Sequence, residues 1–150
     1  MGNFKEDLNK GKKAENYICN FLHHWYPTAT VFEGKNKGYD IDIPEIEEQM
    51  EVKYDRMSKD TGNLAIEFEF NGSPSGVNAT TSKRWCILFA FESNWNFAFV
   101  EIDTLKKMCI GKRVVKGGDG WLSQMYLLPV LDVLENPFIK VHPLVKADEI

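Results

Sequence analysis

The sequence predicts an α/β sandwich with a mixed central sheet. Three observations lead there: a 3.6-residue apolar period near the N-terminus, strict alternation in three segments after it, and a later run that is apolar on both faces. In the first, Ala14, Ile18, Phe21, Leu22 and Trp25 recur along one helical face, so a helix is expected over residues 6–25, closed by Pro27. At roughly 100° per residue, Glu15 falls about 20° around the wheel from Leu22, at the edge of the buried face, with Gly11 on the same side.

Residues 28–33 have the β-branched and aromatic content of a short strand, and Gly34-Lys35-Asn36-Lys37-Gly38 reads as a basic turn. In Tyr39-Asp40-Ile41-Asp42-Ile43 the period is 2, which sends the apolar side chains to one face and both aspartates to the other. After an acidic loop, residues 44–49, the same alternation sets Met50, Val52 and Tyr54 inward and Glu51 and Lys53 outward. Leu64 to Phe70 repeats it, with Glu67 and Glu69 on the polar side, and that strand is expected beside the strand of Glu51. Residues 71–76 are a loop by composition. Cys86 to Phe91, apolar throughout, belongs mid-sheet, and Phe97 to Ile102 is expected to pair with it. A short helix at 104–109, a glycine turn at 117–120 and an apolar stretch at 126–134 complete the order.

A chain of 150 residues without repeats or a long linker is one domain, able to bury roughly 70% of its unfolded surface. With 43% hydrophobic and 27% charged residues it is too apolar for disorder, and no apolar run reaches the length of a spanning helix. The polar, acidic start lacks the layout of a secretory signal, so the expected location is cytoplasmic. Cys19, Cys86 and Cys109 are odd in number and far apart, against both disulfides and structural zinc. The net charge of −4 argues mildly against coating nucleic acid by bulk electrostatics; the distribution of charge matters more than its sum.

If the strands of Asp40 and Glu51 form a hairpin, Asp40, Glu51 and Lys53 meet on one face. Adjacent carboxylates repel unless a proton or cation lies between them, and hard oxygen ligands suit Mg²⁺ or Mn²⁺. Such a metal binds a phosphate oxygen and lowers the pKa of a coordinated water, while an ammonium neutralises developing charge. Glu15 is the accessory acid. Asp42 competes with Asp40, since a two-residue change of register exchanges them; Gly38 two residues ahead and Pro44 near the strand's end favour Asp40.

Asp40 followed by Glu51-Val52-Lys53, with Gly11-Lys12-Lys13-Ala14-Glu15 ahead, resembles the signature of the PD-(D/E)XK nuclease superfamily, most closely its Holliday-junction resolvases and small phage nucleases. Tyr39 stands where the signature's name has proline. The resemblance implies a restriction-endonuclease-like α-β-β-β-α-β core with a mixed central sheet flanked by helices. It also implies Mg²⁺-dependent cleavage of DNA phosphodiesters, duplex or branched, with Mn²⁺ able to substitute. In its terms Asp40, Glu51 and the carbonyl of Val52 hold the metal, Lys53 assists the nucleophile, and Glu15, Asp40, Glu51 and Lys53 are catalytic. It covers residues 11–54 closely and gives nothing residue by residue beyond Ile102.

Lys10, Lys12, Lys13, Lys35, Lys37, Arg56, Lys59, Lys83 and Arg84 punctuate the flanking segments, where cations would anchor a phosphate backbone without reading sequence. Glu67 is the better of two possible further ligands, His23 and His24 read as surface residues, and Trp25, Trp85, Trp95 and Trp121 as core or dimer anchors rather than base-stacking platforms. A homodimer would suit symmetric incision. The alternative is a module on the same fold that binds nucleic acid or protein without hydrolysis.

Overall fold

The structure, a computed structural model, describes residues 4–33 and 39–144, with side chains described from residue 11 onward and not at Asp119. The basic turn 34–38 therefore lies outside the described residues. The apolar stripe that predicts the first helix becomes α1, Phe4–Leu22, which buries Ala14, Ile18, Cys19 and Leu22. It ends three residues before the stripe does. The amides of His23, His24, Trp25 and Tyr26 turn back on the carbonyls of Cys19, Phe21 and Leu22, and Trp25 is left 60% exposed.

Three strands then meander: β1, Thr30–Val31, β2, Ile41–Ile43, and β3, Glu48–Tyr54, each antiparallel to the last. The acidic loop between β2 and β3 contracts to a 3-10 turn, Pro44–Ile46, closed by Glu47 in the left-handed region. Residues 55–83 form the crossover. They hold a single helical turn α2, Ser58–Thr61, then β4, Asn63–Phe70, the two-residue β5, Ser73–Pro74, and a 3-10 turn at Gly76–Asn78. The crossover ends in β6, Arg84–Phe91, which runs parallel to β3 with Glu51 beside Trp85 and Lys53 beside Ile87. As the apolar run requires, Trp85 to Ala90 are all buried. β7, Asn94–Glu101, returns through a two-residue turn in which Glu92 and Ser93 both take positive φ, the twist that suits a hairpin. The last third supplies α3, Ile102–Cys109, β8, Val114–Gly117, β9, Ser123–Pro129, α4, Val130–Glu135, and β10, Val141–Pro143.

Two sheets result. The first is mixed, in the order β1-β2-β3-β6-β7-β10; the second is antiparallel, β5-β4-β9-β8. α1 packs on one face of the first sheet, where Ile18 and Leu22 meet Ile41, Met50, Leu88 and Phe97. The other face, with Trp85, Ile87 and Phe89, buries Leu64 and Ile66 of the second sheet together with Leu105 and Val133 of the short helices.

The α/β class and mixed central sheet stand as expected, with one correction of position and one of layer. Glu67's strand is β4, which pairs with β9 in the second sheet and not with β3; β6 takes the place beside β3. The helix that the resemblance implies between the third core strand and β6 is not formed: residues 79–83 are non-helical, the four-residue α2 comes before β4, and a sheet covers that face. Among the described residues no helix is long and apolar enough to cross a membrane.

Candidate functional site

The β2–β3 ladder sets Ile41 against Met50, Asp42 against Gln49 and Ile43 against Glu48. One residue before β2 begins, the pattern changes. The Asp40 amide donates to the Met50 carbonyl at 2.9 Å, and the Asp40 Oδ2 accepts the Val52 amide at 2.8 Å. A side-chain carboxylate thus takes an amide that a backbone carbonyl takes in a regular ladder, fixing Asp40 at the peptide between Glu51 and Lys53. Asp42, opposite Gln49, has no comparable place.

The packing of Ala14 and Ile18 on Ile41 and Met50 carries Glu15 over this strand end. Burial first, then repulsion from Asp40 and a hydrogen bond to it, push the Glu15 carboxyl up to about 7, against a smaller lowering by Lys12. The Lys12 ammonium lies 3.4 Å from Glu15 Oε2 and donates to the Phe32 carbonyl at 3.0 Å. Its approach to Glu15 is that of an ion pair without hydrogen-bond geometry, so the buried Oε2 has no donor. Two carboxyl groups therefore meet with one proton's worth of tension between them.

Glu51 and Lys53 alternate with Met50 and Val52, which pack toward α1, and so face the second sheet. There every charge has a partner. Lys53 Nζ lies 2.9 Å from Glu51 Oε2 and 4.7 Å above the centre of the Trp85 ring; Thr80 donates to Glu51 Oε1 at 2.7 Å and accepts the Trp85 indole N–H at 3.2 Å. Lys53 also lines a cleft of about 420 Å³ between the sheets, with Arg56, Met57, Glu67, Trp85 and Ile87 among its other walls.

Asp55 and Thr80 are members of this region that sequence reasoning passes over. Asp55 accepts the amides of Ser58 and Ala65 at 3.0 and 2.8 Å; burial pushes its carboxyl up and these backbone bonds pull it back. Its signal was an acid followed three residues later by serine, the pattern of a helix cap. Thr80 lies between the loop at 71–76 and the buried strand, and nothing local announces its bond to a residue 29 positions back.

Of the remaining candidates, Glu67 accepts from Ser123 Oγ at 2.6 Å and Glu69 from Gln124, both on β9. Among the described residues no three His, Cys, Asp or Glu side chains converge as a metal-binding group. Glu15 and Asp40 come together; Glu51, on the adjacent strand, is turned to Thr80 and Lys53. Arg84 is 2.7 Å from Glu48 and 3.8 Å from Glu101, and Lys83 is 3.9 Å from Glu48, so these two cations are already engaged. Lys13 and Lys59 are exposed; Lys35 and Lys37, and the Lys10 side chain, lie outside the described residues. His23 and His24 are exposed on backbone carbonyls of Ala29 and Phe21. Of the tryptophans only Trp85 is buried. Trp121, in a left-handed turn, is 72% exposed and with Trp25 lies outside the core, the first of the two roles expected of them.

No family model matches the chain, and no curated protein or solved structure matches it either.

Proposed function

We propose that this chain is a metal-dependent DNA endonuclease on a PD-(D/E)XK core, hydrolysing phosphodiester bonds, with branched DNA as its substrate class. One observation carries the reading: Glu15 and Asp40 meet beside the amide of Val52, the residue between Glu51 and Lys53. The order α1-β1-β2-β3, then a crossover to a strand parallel to β3, supports it, with a sheet in place of the superfamily's crossover helix.

Of the donor set Glu15 and Asp40 converge, and these two suit a hard divalent cation. Glu15 Oε2 is buried without a donor, and the Glu15–Asp40 repulsion is of the kind a cation relieves. Mg²⁺, or Mn²⁺ in its place, would be held by Asp40, the Val52 carbonyl and Glu51, once Glu51 gives up one of its bonds to Thr80 and Lys53, with Glu15 as accessory acid, and would supply Lewis acidity and an acidified water. The chain's own residues do the rest. The Val52 amide holds Asp40 in one orientation. Glu51 keeps the Lys53 ammonium at the cleft, where it neutralises charge developing on the phosphate. Lys13 and Lys59 stand exposed to bind backbone phosphates. Two protomers about a two-fold axis would cut both strands of a symmetric substrate.

A second reading, a binding module without hydrolysis, draws on the compensation already present around Glu51, whose two oxygens are taken by Thr80 and Lys53. Cleavage of linear duplex, single strand, fork and four-way junction with Mg²⁺, Mn²⁺ or EDTA separates the two. Metal-dependent cutting that disappears in Lys53→Ala and Asp40→Ala supports the nuclease. Binding without cutting under every condition transfers the weight to the module.

A further inference from the structure

We infer that the cleft beside Lys53 is a binding pocket for one unpaired nucleotide, which makes the chain selective for DNA in which a base has left the stack. This rests on the nuclease reading and names the feature of the substrate that its site would recognise.

Size comes first. The cleft, about 420 Å³, is within the range of roughly 300–1,000 Å³ of ligand pockets. It opens between β3 and β6 of one sheet and β4 of the other. A cleft of that volume, closed behind by Ile66, Trp85 and Ile87, is too small to admit a duplex, whose major groove alone is about 12 Å wide. A single extruded base fits.

Chemistry comes second. A nucleotide presents an anion, two flat apolar faces and a hydrogen-bonding edge, and the cleft offers a counterpart to each. Lys53 and Arg56 are the cations at its lip, and Ile66, Ile87 and Trp85 supply apolar lining. Glu67 is the carboxylate on the opposite wall, with Ser123 fixing one of its oxygens at 2.6 Å. A carboxylate so held accepts from the exocyclic amine of an unpaired cytosine, adenine or guanine.

Backbone construction comes third, and it is costly enough to ask for a reason. The β4–β9 register slips between Glu67 and Glu69, a bulge of the kind that re-aims side chains next to sites. Against it, Gly76 has φ +51°, and a Cβ there would stand 2.0 Å from the Glu67 carbonyl oxygen. Only glycine lets the crossover close so tightly on this wall.

The test uses the full chain in EDTA, with 2-aminopurine as the fluorescent base, either bulged from a duplex or paired within the same duplex. Bulged DNA is expected to bind about tenfold more tightly than paired, the worth of one buried base, with a change in 2-aminopurine emission. Ala65→Trp, on an exposed strand position at the cleft, should bring the ratio to about 1; Met57→Glu, on an exposed lip residue, should do the same by a charge instead of bulk. Equal binding of bulged and paired DNA overturns the inference, as does a preference that survives both variants, or no binding at all. Adding Mg²⁺ to the same duplexes reads the nuclease separately: cutting without bulge preference sinks the pocket alone, and bulge preference without cutting upholds the pocket while sinking the nuclease.

Discussion

The two faces of the central sheet treat their charges in opposite ways. Toward α1, Glu15 and Asp40 are left in conflict, with a buried oxygen that lacks a donor. Toward the second sheet, on β3, β6 and the crossover between them, Glu51, Lys53, Thr80 and Trp85 satisfy one another. A fold that can compensate four polar groups on one face and leaves two carboxyls in opposition on the other, with Lys12 at 3.4 Å answering only part of it, is storing tension where a further cation would release it. Buried polar groups are ordinarily paired, which makes the first face the exception to be explained.

The largest effect expected concerns function on the satisfied face. Lys53→Ala should lower cleavage about 10²–10³-fold while the circular dichroism spectrum is retained, since the ammonium is lost and the strand is not. Asp42→Ala is the companion variant: opposite Gln49, it should cut within about twofold of the parent and change stability by less than about 0.5 kcal/mol. A loss in Asp42→Ala equal to that in Asp40→Ala would remove the distinction between the two aspartates.

The strained face predicts a pH dependence. Glu15's folded-state pKa of about 7 lies above its ordinary 4.5, so the stability it contributes is fully present below 4.5 and is lost as pH rises through 7. Denaturant titrations in EDTA should show a fall on the order of 1–3 kcal/mol between pH 4.5 and 8, at 1.36 kcal/mol per unit, and Glu15→Gln should flatten it. Mn²⁺ added at pH 8 should raise the parent's midpoint and leave that of Asp40→Ala unmoved.

Thr80→Val then takes the satisfied face toward the condition of the other. It strips Glu51 of a donor and the buried Trp85 indole of its acceptor, at a cost of about 2 kcal/mol in urea titrations, with an altered tryptophan emission. The smallest effect is a gain. Gly11 is inside α1 and a Cβ there would meet nothing, so Gly11→Ala should stabilise the chain by about 0.5–1 kcal/mol. If cleavage falls in that more stable variant, the glycine serves the substrate's approach and not the helix.

What the sequence shows of this arrangement follows from the range of the forces involved. The stripe of α1, the alternation of β3 and the buried run of β6 are local periodicities, legible from spacing alone. Alternation tells which face Glu67 takes but not which strand lies next to it, because the neighbour is chosen by tertiary packing; hence β4 is found in a second sheet. The Asp40–Val52 bond was within reach of a hairpin argument, whereas the Thr80–Glu51 bond depends on how the whole crossover closes. Trp25 fails as a core residue for a local reason: α1 unwinds at Leu22, one turn before the stripe ends.

The parallel ladder between β3 and β6 has a kinetic side. Met50 to Tyr54 find their partners only after all of residues 55–83 have been looped out, whereas β1, β2 and β3 pair with immediate neighbours in the chain. Closing the longer loop comes at an entropic cost before any pairing rewards it, so the meander that holds Asp40 at Val52 should gain protection from amide exchange first and β6 later. Parting the walls of the Lys53 cleft along the seam between β3 and the crossover would unbury Leu64, Ile66 and Val77, so amides of the crossover should exchange only on near-global unfolding and the cleft is a rigid one.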